Sequence, residues 1–493
     1  MSETNVNEVL QHAAQAFDQY RNVSGKQRAA FLRAIAEGLE ADAETIVQLA
    51  QEETNLPEAR IKGEVGRTTG QLRAIAALVA AGHWVQATID NGDASRKPLP
   101  KPDLRKLLVP VGPVVVFGAS NFPLAFSTAG GDTASALAAG CSVVVKSHPA
   151  HPKTSARVAG VIDAAIGKCD MPEFVFQHVE DSSIEVGQRL VSHPLTKAVA
   201  FTGSRQGGMA LFGLASQRPE PIPVFAEMGS VNPMVVLPES IATNETLPKL
   251  LAASVLQGVG QFCTNPGLIL VMECEGLKRF LDEFAAEIGN SVPCKMLHSG
   301  IASNYSTLKK KALAQAGVSI LSAVAEANDD TSGAATVAVV NAVDFVSNPQ
   351  LQEEVFGPFS LIVTCNNVAE LGEAINVLSG QLTSSFFGSA IEIAKYSEIV
   401  NALQQRCGRM IFNGVPTGVE VCKAMHHGGP FPSTTDSRFT SVGNDAIYRF
   451  VRPFSFQNAP EALLPPELQN ENPLEILRCV DNEWTVEPVL VLN

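Results

Sequence analysis

One cysteine of the sequence lies in a segment built of small, turn-forming residues. The segment GQFCTNPG (260–267) places Cys263 between two glycines, where the backbone can approach a ligand closely. The thiolate is the reactive form, and a free thiol titrates near about 8.5, so ionisation would need a helix end or polar neighbours. Cysteines in general are more often inert buried residues. Cys263 is therefore a candidate nucleophile, with a buried structural thiol as the alternative.

A carboxylate follows an apolar run in the segment FAEMGSVNP (225–233). Glu227 lies at the end of this predicted strand, where desolvation would raise its pKa and make it a usable general base near neutral pH. A purely structural carboxylate fits the segment equally well. The segment therefore predicts either an acid–base group or a buried structural acid.

A polar amide stands at the end of another predicted strand, in VVVFGASNFP (114–123). Ligands of open α/β sheets bind at the carboxyl ends of the strands. Ser120 and Asn121 are therefore candidates to face a ligand. Taken alone, the segment is better explained by a turn in which Asn121 bonds its own backbone.

Two further strand ends hold groups that suit a phosphate. Lys146 ends the run VVVK (143–146), and a cation there could hold a ribose hydroxyl or a phosphate. The segment FTGSRQGG (201–208) closes a strand and opens a helix, so Gly203 and Ser204 offer a backbone N–H and a hydroxyl at a positive helix end. A solvated lysine and a simple N-cap serine are the alternatives. No GxGxxG motif follows a strand, so the usual dinucleotide fingerprint is absent.

The surrounding sequence predicts the elements that position these residues. Residues 7–85 repeat apolar positions at helical spacing, which indicates several amphipathic helices. From Leu107 onward, short Val-rich runs alternate with helical segments, and a second series of the same kind begins after Pro233. The chain has 493 residues, 45% of them hydrophobic, which is enough for two or more cores. The predicted fold class is α/β, with two Rossmann-like parallel-sheet domains preceded by N-terminal helices.

These changes in the sequence pattern divide the chain into three predicted regions. Residues 1–228 would contain the N-terminal helices and the first α/β domain, and residues 229–428 the second, which holds Cys263. Residues 429–493 form a C-terminal segment. From Tyr448 this segment is rich in Pro and Glu, which predicts an extended course over the surface.

Charge and cysteine content disfavour several classes of function. A formal net charge of −14 would repel phosphate backbones and anionic membrane surfaces, so nucleic acid and membranes are not expected as partners. The polar N-terminal segment does not resemble a signal peptide, and no apolar run is long enough for a membrane span. The nine cysteines, without a CxxC pair, predict neither a disulfide framework nor a metal site. We expect a cytoplasmic protein.

Six short segments follow one another in the order NFP (121–123), VVVK, FTGS, EMGSVNP, GQFC and EEVFGP (353–358). Their order and spacing resemble the aldehyde dehydrogenase superfamily, from the N-terminal helices to near residue 455. Within it, GEVGRTTGQLR (63–73) and HHGGPFPSTTDSRFTSVG (426–443) are most similar to α-ketoglutaric semialdehyde dehydrogenases and to the NADP-dependent fatty aldehyde dehydrogenase of luminous bacteria. The resemblance implies an NAD(P)-binding first domain and a catalytic second domain. It also implies that residues 429–493 return to the cofactor domain and join the subunit interface of a homodimer or homotetramer.

The resemblance implies roles for the catalytic candidates. Cys263 would be the nucleophile, Glu227 the general base, and Asn121 the side-chain half of an oxyanion hole. Attack on an aldehyde would give a thiohemiacetal, hydride transfer to the nicotinamide a thioester, and hydrolysis a carboxylic acid. A coenzyme A-acylating enzyme is an alternative, against which Glu227 argues. A catalytically silent binding homologue is another, against which the joint presence of these residues and Glu354 argues.

The resemblance also implies how a cofactor, NADP or NAD, would be held. The cofactor-binding candidates are Ser120, Lys146, His148, Gly203, Ser204, Glu354 and Phe356. Many NAD-preferring members have a glutamate for the adenosine ribose where this chain has Pro149. Without that carboxylate a 2′-phosphate is not repelled, and Lys146, His148 and Lys153 could surround it. We therefore expect NADP to be accepted.

The implied substrate is α-ketoglutaric semialdehyde, oxidised to 2-oxoglutarate, with medium-chain or aromatic aldehydes as the alternative. A substrate with a remote carboxylate needs a cation. The substrate-binding candidates are Arg67, Gln71, Arg73 and Arg438. Domain or subunit contacts are the alternative role for each arginine.

Overall fold

Four amphipathic helices come first in the computed structural model, which describes residues 3–489, with side chains from residue 5. They are α1 (Glu3–Tyr20), α2 (Gly25–Ala41), α3 (Ala43–Thr54) and α4 (Glu58–Ala81), and strands β1 (Thr88–Asp90) and β2 (Leu104–Pro110) follow. Ser24 begins α2 with a capping box, and Asn55 and Gly82 end α3 and α4 in left-handed backbone. The helices predicted for residues 7–85 are confirmed.

Residues 114–227 form a five-stranded parallel sheet with the order β5-β4-β3-β6-β7. Its strands are β3 (Val114–Phe117), β4 (Val143–Lys146), β5 (Phe176–Val179), β6 (Ala198–Thr202) and β7 (Val224–Glu227). The helices between them are α5 (Gly131–Ala139), α6 (Pro152–Lys168), α7 (Ile184–Ser192) and α8 (Arg205–Ser216). The Val-rich strands are buried on both faces, as parallel strands require. The strand order reverses between β3 and β6, which creates a crevice at their carboxyl ends.

Residues 234–412 form a second sheet with seven strands, in the order β11-β13-β14-β9-β8-β15-β16. The strands of this region are β8 (Met234–Val236), β9 (Leu268–Met272), β10 (Cys294–Lys295), β11 (Ser319–Ala323), β12 (Ser332–Gly333), β13 (Thr336–Asn341), β14 (Phe359–Cys365), β15 (Gln381–Phe387) and β16 (Cys407–Phe412). Strands β10 and β12 pair separately. The prediction of two parallel α/β units is confirmed. The structure adds that the edge strand β11 is antiparallel, with an irregular register between Ile320 and Ser322.

Eight helices accompany the second sheet and cover its two faces. They are α9 (Pro238–Thr243), α10 (Leu247–Leu256), α11 (Leu277–Gly289), α12 (Ser299–Leu313), α13 (Ala342–Ser347), α14 (Val368–Asn376), α15 (Ala390–Lys395) and α16 (Ser397–Gln404). Two separate apolar clusters contain strand residues such as Leu270 on one face and Ile269 on the other. Within residues 3–489, no helix is long and apolar enough to cross a membrane.

The C-terminal region forms part of a third sheet. Residues 451–457 are extended and largely exposed, as predicted for the segment from Tyr448, but the segment does not stay on the surface throughout. Strands β17 (Val451–Gln457), β18 (Arg478–Val480) and β19 (Glu483–Thr485) join the earlier strands in the order β17-β2-β1-β18-β19. Between them, Leu464, Leu468 and Ile476 are buried in the same core as the N-terminal helices. The Pro and Glu content of this segment predicts a surface location. Its apolar side chains nevertheless hold it against the core.

The segment that precedes β17 connects the carboxyl end of the first parallel sheet to the start of β15 in the second, where Gly380 N–H donates to the Phe431 carbonyl at 3.2 Å. Thr434 forms an isolated bridge with Glu227, and Met228 N–H donates to the Ser433 carbonyl at 2.7 Å. A 3₁₀ helix (Asn444–Phe450) then leads into β17. Residues 426–443 are thereby held against the end of β7.

Candidate active site

The loop that holds Cys263 follows α10 through a tight left-handed turn. Gly258 and Gly260 have φ angles of 57° and 64°. A Cβ atom on Gly260 would lie 2.1 Å from the Gly357 carbonyl oxygen, so only glycine fits there. The Asn232 side chain donates a hydrogen bond to the Cys263 carbonyl at 2.9 Å, and this contact fixes the position of the loop. The thiol itself is half-buried at the junction of the two parallel sheets.

Two functional groups lie at this thiol, and a third supports one of them. His427 Nε2 lies 3.6 Å from Cys263 Sγ and 2.9 Å from Glu227 Oε1, and both His427 and Glu227 are buried. The Ser441 hydroxyl donates to the other oxygen of Glu227. The structure therefore brings Glu227 and Cys263 together as the sequence predicted, and adds His427 and Ser441.

The sequence analysis missed His427 and Ser441, although both lie in the quoted segment 426–443. His427 is 164 positions from Cys263, and Ser441 is 214 positions from Glu227. The only local signal was a histidine next to Gly428 and Gly429 in a segment with family resemblance. Nothing in that segment shows which strand end it covers.

Glu227 differs from the prediction in the direction of its pKa shift. Burial acts to raise the pKa, but the charge and hydrogen bond of His427 and the hydrogen bonds of Ser441 and Cys263 outweigh it. The pKa therefore lies below its usual value, and the prediction of a raised pKa for Glu227 is wrong. At neutral pH this site contains a carboxylate that is ready to accept a proton.

The Cys263 thiol is held in its protonated form. Burial raises its pKa well above the ordinary value, and the adjacent Glu227 carboxylate raises it further, while Arg67 acts in the opposite direction. A thiol of this kind is a poor nucleophile until a base takes its proton. Glu227, to which the thiol is hydrogen-bonded, is placed to do so.

Asn121 reaches the cysteine loop from the end of β3. It is 9% exposed, and its amide Nδ2 donates to the Gln261 carbonyl at 3.1 Å. Gln261 lies two positions before Cys263 in the chain. The amide is therefore next to the nucleophile loop and faces it with its N–H groups.

Arginines and phenylalanines form a wall beside Cys263. The Arg67 guanidinium carbon lies 5.5 and 5.0 Å from the ring centres of Phe122 and Phe126. Arg60, which the sequence analysis missed, lies 4.5 Å from the rings of both Phe122 and Phe262. Two buried nitrogens of Arg67, Nε and Nη2, have no hydrogen-bond partner among the described residues. Burial lowers the pKa of Arg67, which the nearby acidic groups counteract.

Two of the four substrate-binding candidates lie away from this wall. Arg73 is exposed and forms two hydrogen bonds to Glu40 of α2. Arg438 is 79% exposed at its side chain and binds Asp436. The structure therefore does not support a substrate-binding role for these two arginines, and that role stays a prediction. Their partners are carboxylates on the protein surface.

Gln71 shares a helix face with Arg67, because the two residues are four positions apart. It is buried, and a Cβ atom on Gly131 would lie 2.5 Å from its Nε2. Within residues 3–489, this Nε2 has no hydrogen-bond partner. Gln71 therefore packs against the start of α5 and not against the cysteine loop.

The predicted cofactor residues gather at the crevice between β3 and β6. Lys146 is buried at the end of β4 and donates from Nζ to the Asp181 carbonyl at 2.8 Å. Ser204 caps α8 by accepting from Gly207 N–H at 3.2 Å. Ser120 lies three residues after the end of β3. A cation, a capped helix N-terminus and a hydroxyl at one sheet edge are the donor set that a ribose and a diphosphate require.

Two of the residues considered for the 2′-phosphate differ in charge. Burial lowers the pKa of His148 to about 3, so this ring is neutral at physiological pH. Its Nδ1 accepts from Ala150 N–H, and its ring stacks on His151. A neutral His148 could offer a phosphate a hydrogen bond but no positive charge, and its role at the cofactor stays a prediction. Lys153 is exposed in the first turn of α6.

Glu354 and Phe356 line a pocket on the other side of the cysteine loop. The pocket also includes Ser230 and Gly260. A Cβ atom on Gly229 would lie 2.3 Å from Glu354 Oε2, so the carboxyl packs directly on a glycine backbone. Burial raises the pKa of Glu354 to about 7, against a hydrogen bond from the Ser230 backbone that lowers it. This carboxyl titrates in the physiological range.

Comparison with known proteins places these features in context. The model of the aldehyde dehydrogenase family matches residues 1–451. Alpha-ketoglutaric semialdehyde dehydrogenase 2 of Azospirillum brasilense is 46% identical over 483 residues, which are 98% of this chain and 92% of that protein. Alpha-ketoglutaric semialdehyde dehydrogenase of Acinetobacter baylyi is 45% identical over 97% of this chain and 91% of that protein.

A solved structure shares the fold at low sequence identity. Glyceraldehyde-3-phosphate dehydrogenase GapN from Methanocaldococcus jannaschii, complexed with NADP, superposes with a TM-score of 0.77 and is 20% identical. The match covers 93% of this chain and 94% of that chain. The two parallel sheets and the N-terminal helices are therefore those of a known architecture.

Proposed function

The chain belongs to the aldehyde dehydrogenase family, and from this premise we propose that it oxidises α-ketoglutaric semialdehyde to 2-oxoglutarate. Its general activity is the NAD(P)-dependent oxidation of an aldehyde to a carboxylic acid. The two relatives named for this substrate are 46% and 45% identical over nearly the whole chain. The substrate has an aldehyde at one end and a 2-oxo acid at the other.

The buried guanidinium of Arg67 is the observation that supports this substrate. A buried charge with two unpartnered N–H groups is costly, so the site favours an anion that can accept both hydrogen bonds. Arg67 is close enough to Cys263 and Glu227 to interact with both electrostatically. We infer that Arg67 binds the remote carboxylate while the aldehyde carbon lies at Cys263 Sγ. Arg60 adds a second positive charge to the same wall.

The catalytic sequence begins with the protonated thiol. Glu227 is ionised and hydrogen-bonded to Cys263, so it takes the thiol proton as sulfur attacks the aldehyde carbon. His427 bonds the same carboxylate and stabilises it in the position from which it acts. The Asn121 amide and the Cys263 backbone N–H would hold the resulting oxyanion. The bound cofactor supplies the hydride acceptor that turns the thiohemiacetal into a thioester.

Release of the product needs a base for water. Glu227 is buried beside the thioester sulfur and is held from both sides by His427 and Ser441. Once it has released to solvent the proton taken from the thiol, it would accept a proton from the water that attacks the thioester and return it to the departing Cys263 thiolate, so that the acid leaves and the thiol is restored. A base in this position favours hydrolysis over transfer to coenzyme A.

We infer that NADP is accepted as well as NAD. Members of the family use one or the other. The residue after His148 is Pro149, which offers no carboxylate to repel a 2′-phosphate. Lys146 and the exposed Lys153 would supply the positive charge, and His148 a neutral hydrogen bond. Ser120, Gly203 and Ser204 would bind the diphosphate, and Glu354 and Phe356 the nicotinamide ribose and ring.

We propose that three regions of the chain have different roles. Residues 1–228 would bind the cofactor, residues 229–428 would hold the nucleophile, and residues 429–493 would return to the cofactor domain and form part of a subunit interface. Residues 490–493 lie outside the described part. Strands β17 and β19 are the two edges of the third sheet and expose Phe454 and Trp484, which supports a homodimer or homotetramer. The described cysteines are all free thiols, which suits a cytoplasmic enzyme.

A second candidate is an apolar aldehyde. The wall formed by Phe122, Phe126 and Phe262 would also accept a medium-chain or aromatic aldehyde, with the arginines stacked on the rings. If the substrate is such an uncharged aldehyde, its binding does not depend on a hydrogen bond to Arg67.

The test is a kinetic comparison of aldehydes with both cofactors and without coenzyme A. We expect kcat/KM for α-ketoglutaric semialdehyde to exceed that for hexanal, with succinic and glutaric semialdehydes between them. Hexanal used equally well or better would move the assignment to the fatty-aldehyde branch. A strict requirement for coenzyme A would exclude hydrolytic release.

A further inference from the structure

Cys263, Glu227 and His427 offer three ligand atoms of the kinds that bind zinc. One sulfur, one carboxylate oxygen and one imidazole nitrogen lie within 4.8 Å of one another. Among the described residues this is the one cluster of three such groups with that spacing. We propose that the cluster is an inhibitory binding site for Zn²⁺ and other thiophilic divalent cations.

The distances suit tetrahedral coordination. Zinc bonds of about 2.3 Å to sulfur and about 2.0 Å to nitrogen hold these two atoms about 3.5 Å apart. The observed distance from Cys263 Sγ to His427 Nε2 is 3.6 Å. Nitrogen and oxygen ligands of zinc are about 3.3 Å apart, and His427 Nε2 lies 2.9 Å from Glu227 Oε1. The Cys263 Sγ to Glu227 oxygen distance is within 4.8 Å, so a movement of the thiol and carboxylate side chains toward a common centre completes a three-ligand set.

The charges balance as well. Binding converts Cys263–SH to a zinc-bound thiolate and releases one proton, while the proton of His427 moves from Nε2 to Nδ1. The thiolate and the Glu227 carboxylate together neutralise the dication, which removes the cost of a net charge in a buried site. The half-buried thiol is the accessible member, so the metal enters from the substrate side and keeps a solvent ligand there.

The site differs from a resident zinc site in its outer contacts. A metal-bound histidine usually donates its second N–H to an acceptor, and loss of such a partner weakens binding by about 10- to 100-fold. His427 Nδ1 is buried without a hydrogen-bond partner among the residues that the structure describes. Binding is therefore reversible, and a chelator removes the metal.

A bound cation occupies the nucleophile and the base at once. Zn²⁺ therefore inhibits the enzyme in competition with the aldehyde and shields the thiol from alkylation. This inhibitory effect rests on the proposed roles of Cys263 and Glu227, whereas metal binding itself does not. The ligands come from three distant segments, so the cysteine spacing of the sequence gives no sign of the site.

The experiment titrates chelator-treated enzyme with Co²⁺ as a spectroscopic probe and with Zn²⁺ as an inhibitor. We expect one Co²⁺ per chain with a thiolate-to-cobalt charge-transfer band, displaced by Zn²⁺. The band should be lost in Cys263→Ser, and Co²⁺ affinity should fall at least tenfold in His427→Gln. His426→Gln is the matched control, because this neighbouring histidine is outside the cluster, and it should bind as the wild type does. Circular dichroism checks the fold of each variant.

Activity measurements provide a separate readout. Zn²⁺ should inhibit wild-type turnover and slow iodoacetamide labelling of Cys263, and a chelator should reverse both effects. A cobalt band that persists in Cys263→Ser, or an active wild-type enzyme without a band, would overturn the proposal. Absence of turnover in metal-free buffer would instead count against the proposed function and leave the cobalt result standing.

Discussion

His427 Nε2 lies 2.9 Å from Glu227 Oε1, although the two residues are 200 positions apart in the chain. A carboxylate only accepts hydrogen bonds, so the Nε2 atom carries the hydrogen. This contact, together with the Ser441 hydroxyl, lowers the pKa of Glu227 despite its burial. The interaction keeps the base ionised at the pH at which the enzyme works.

The first prediction concerns His427→Gln. Because His427 lowers the pKa of Glu227, its removal should raise that pKa and shift the acidic limb of the kcat profile upward by about one pH unit. Activity lost on acidification would then be lost at a higher pH than in the wild type. His426→Gln is the control and should keep the wild-type profile. The profiles are measured in chelator-treated buffer, and an unshifted limb in His427→Gln would show that the two groups are uncoupled.

Cys263→Ala provides the second prediction. Turnover should fall below about a thousandth of the wild-type rate, because the covalent step is removed, while cofactor binding and the melting temperature stay close to wild type. Iodoacetamide should inactivate the wild type through Cys263 in preference to the other eight cysteines. Since the pKa of this thiol is raised, labelling should accelerate with pH above neutrality. Peptide mapping by mass spectrometry identifies the labelled residue, and near wild-type turnover of the variant would contradict the assignment.

The third prediction separates two roles of Glu227. If this residue serves only in thioester hydrolysis, Glu227→Gln should show a burst of reduced cofactor followed by slow turnover. If it also takes the thiol proton, the burst itself should be slow. In either case the loss of its charge should lower the pKa of Cys263 and speed alkylation at pH 7, because the carboxylate raises that pKa. Stopped-flow absorbance and labelling rates measure the two effects, and slower alkylation in the variant is the outcome that contradicts this account.

Arg67→Met is the fourth prediction. Loss of charge-assisted hydrogen bonds worth about 1.5–3 kcal/mol should raise KM for α-ketoglutaric semialdehyde by about 10- to 100-fold. The KM for hexanal should change little, since it has no carboxylate. Arg73→Met is the matched control, because Arg73 is exposed and paired with Glu40 on the protein surface. Equal effects of the Arg67 substitution on both aldehydes would assign Arg67 a structural role.

The fifth prediction concerns cofactor binding and Glu354. Its pKa of about 7 means that the carboxylate form is a minor species at pH 6 and the major one at pH 8. If the carboxylate accepts hydrogen bonds from the nicotinamide ribose, the apparent Kd for NADP should tighten by about tenfold between these pH values. Glu354→Gln should remove this pH dependence. Calorimetric titration measures both proteins, and a flat profile in the wild type would place the ribose elsewhere.

Much of the fold follows from local sequence. The Val-rich runs that end in Phe117, Lys146 and Thr202 predict parallel strands, and the carboxyl ends of such strands necessarily meet at one edge of a sheet. The placement of Lys146 and Ser204 at the crevice follows from that rule. The small, turn-forming residues around Cys263 likewise predict a turn, and Gly258 and Gly260 do adopt left-handed backbone, which glycine takes without strain.

The tertiary structure decided what these residues meet. Helix periodicity separates Arg67 from Arg73. Only tertiary packing determined that Arg67 lies against Phe126 near the thiol, whereas Arg73 pairs with Glu40 of α2. The direction of the Glu227 pKa shift likewise depends on His427, which arrives from a segment 200 positions away. Propensity and periodicity act over a few residues, whereas burial and charge depend on every segment that packs against a group. For that reason the sequence determined which residues could react, and the fold determined their ionisation and their partners.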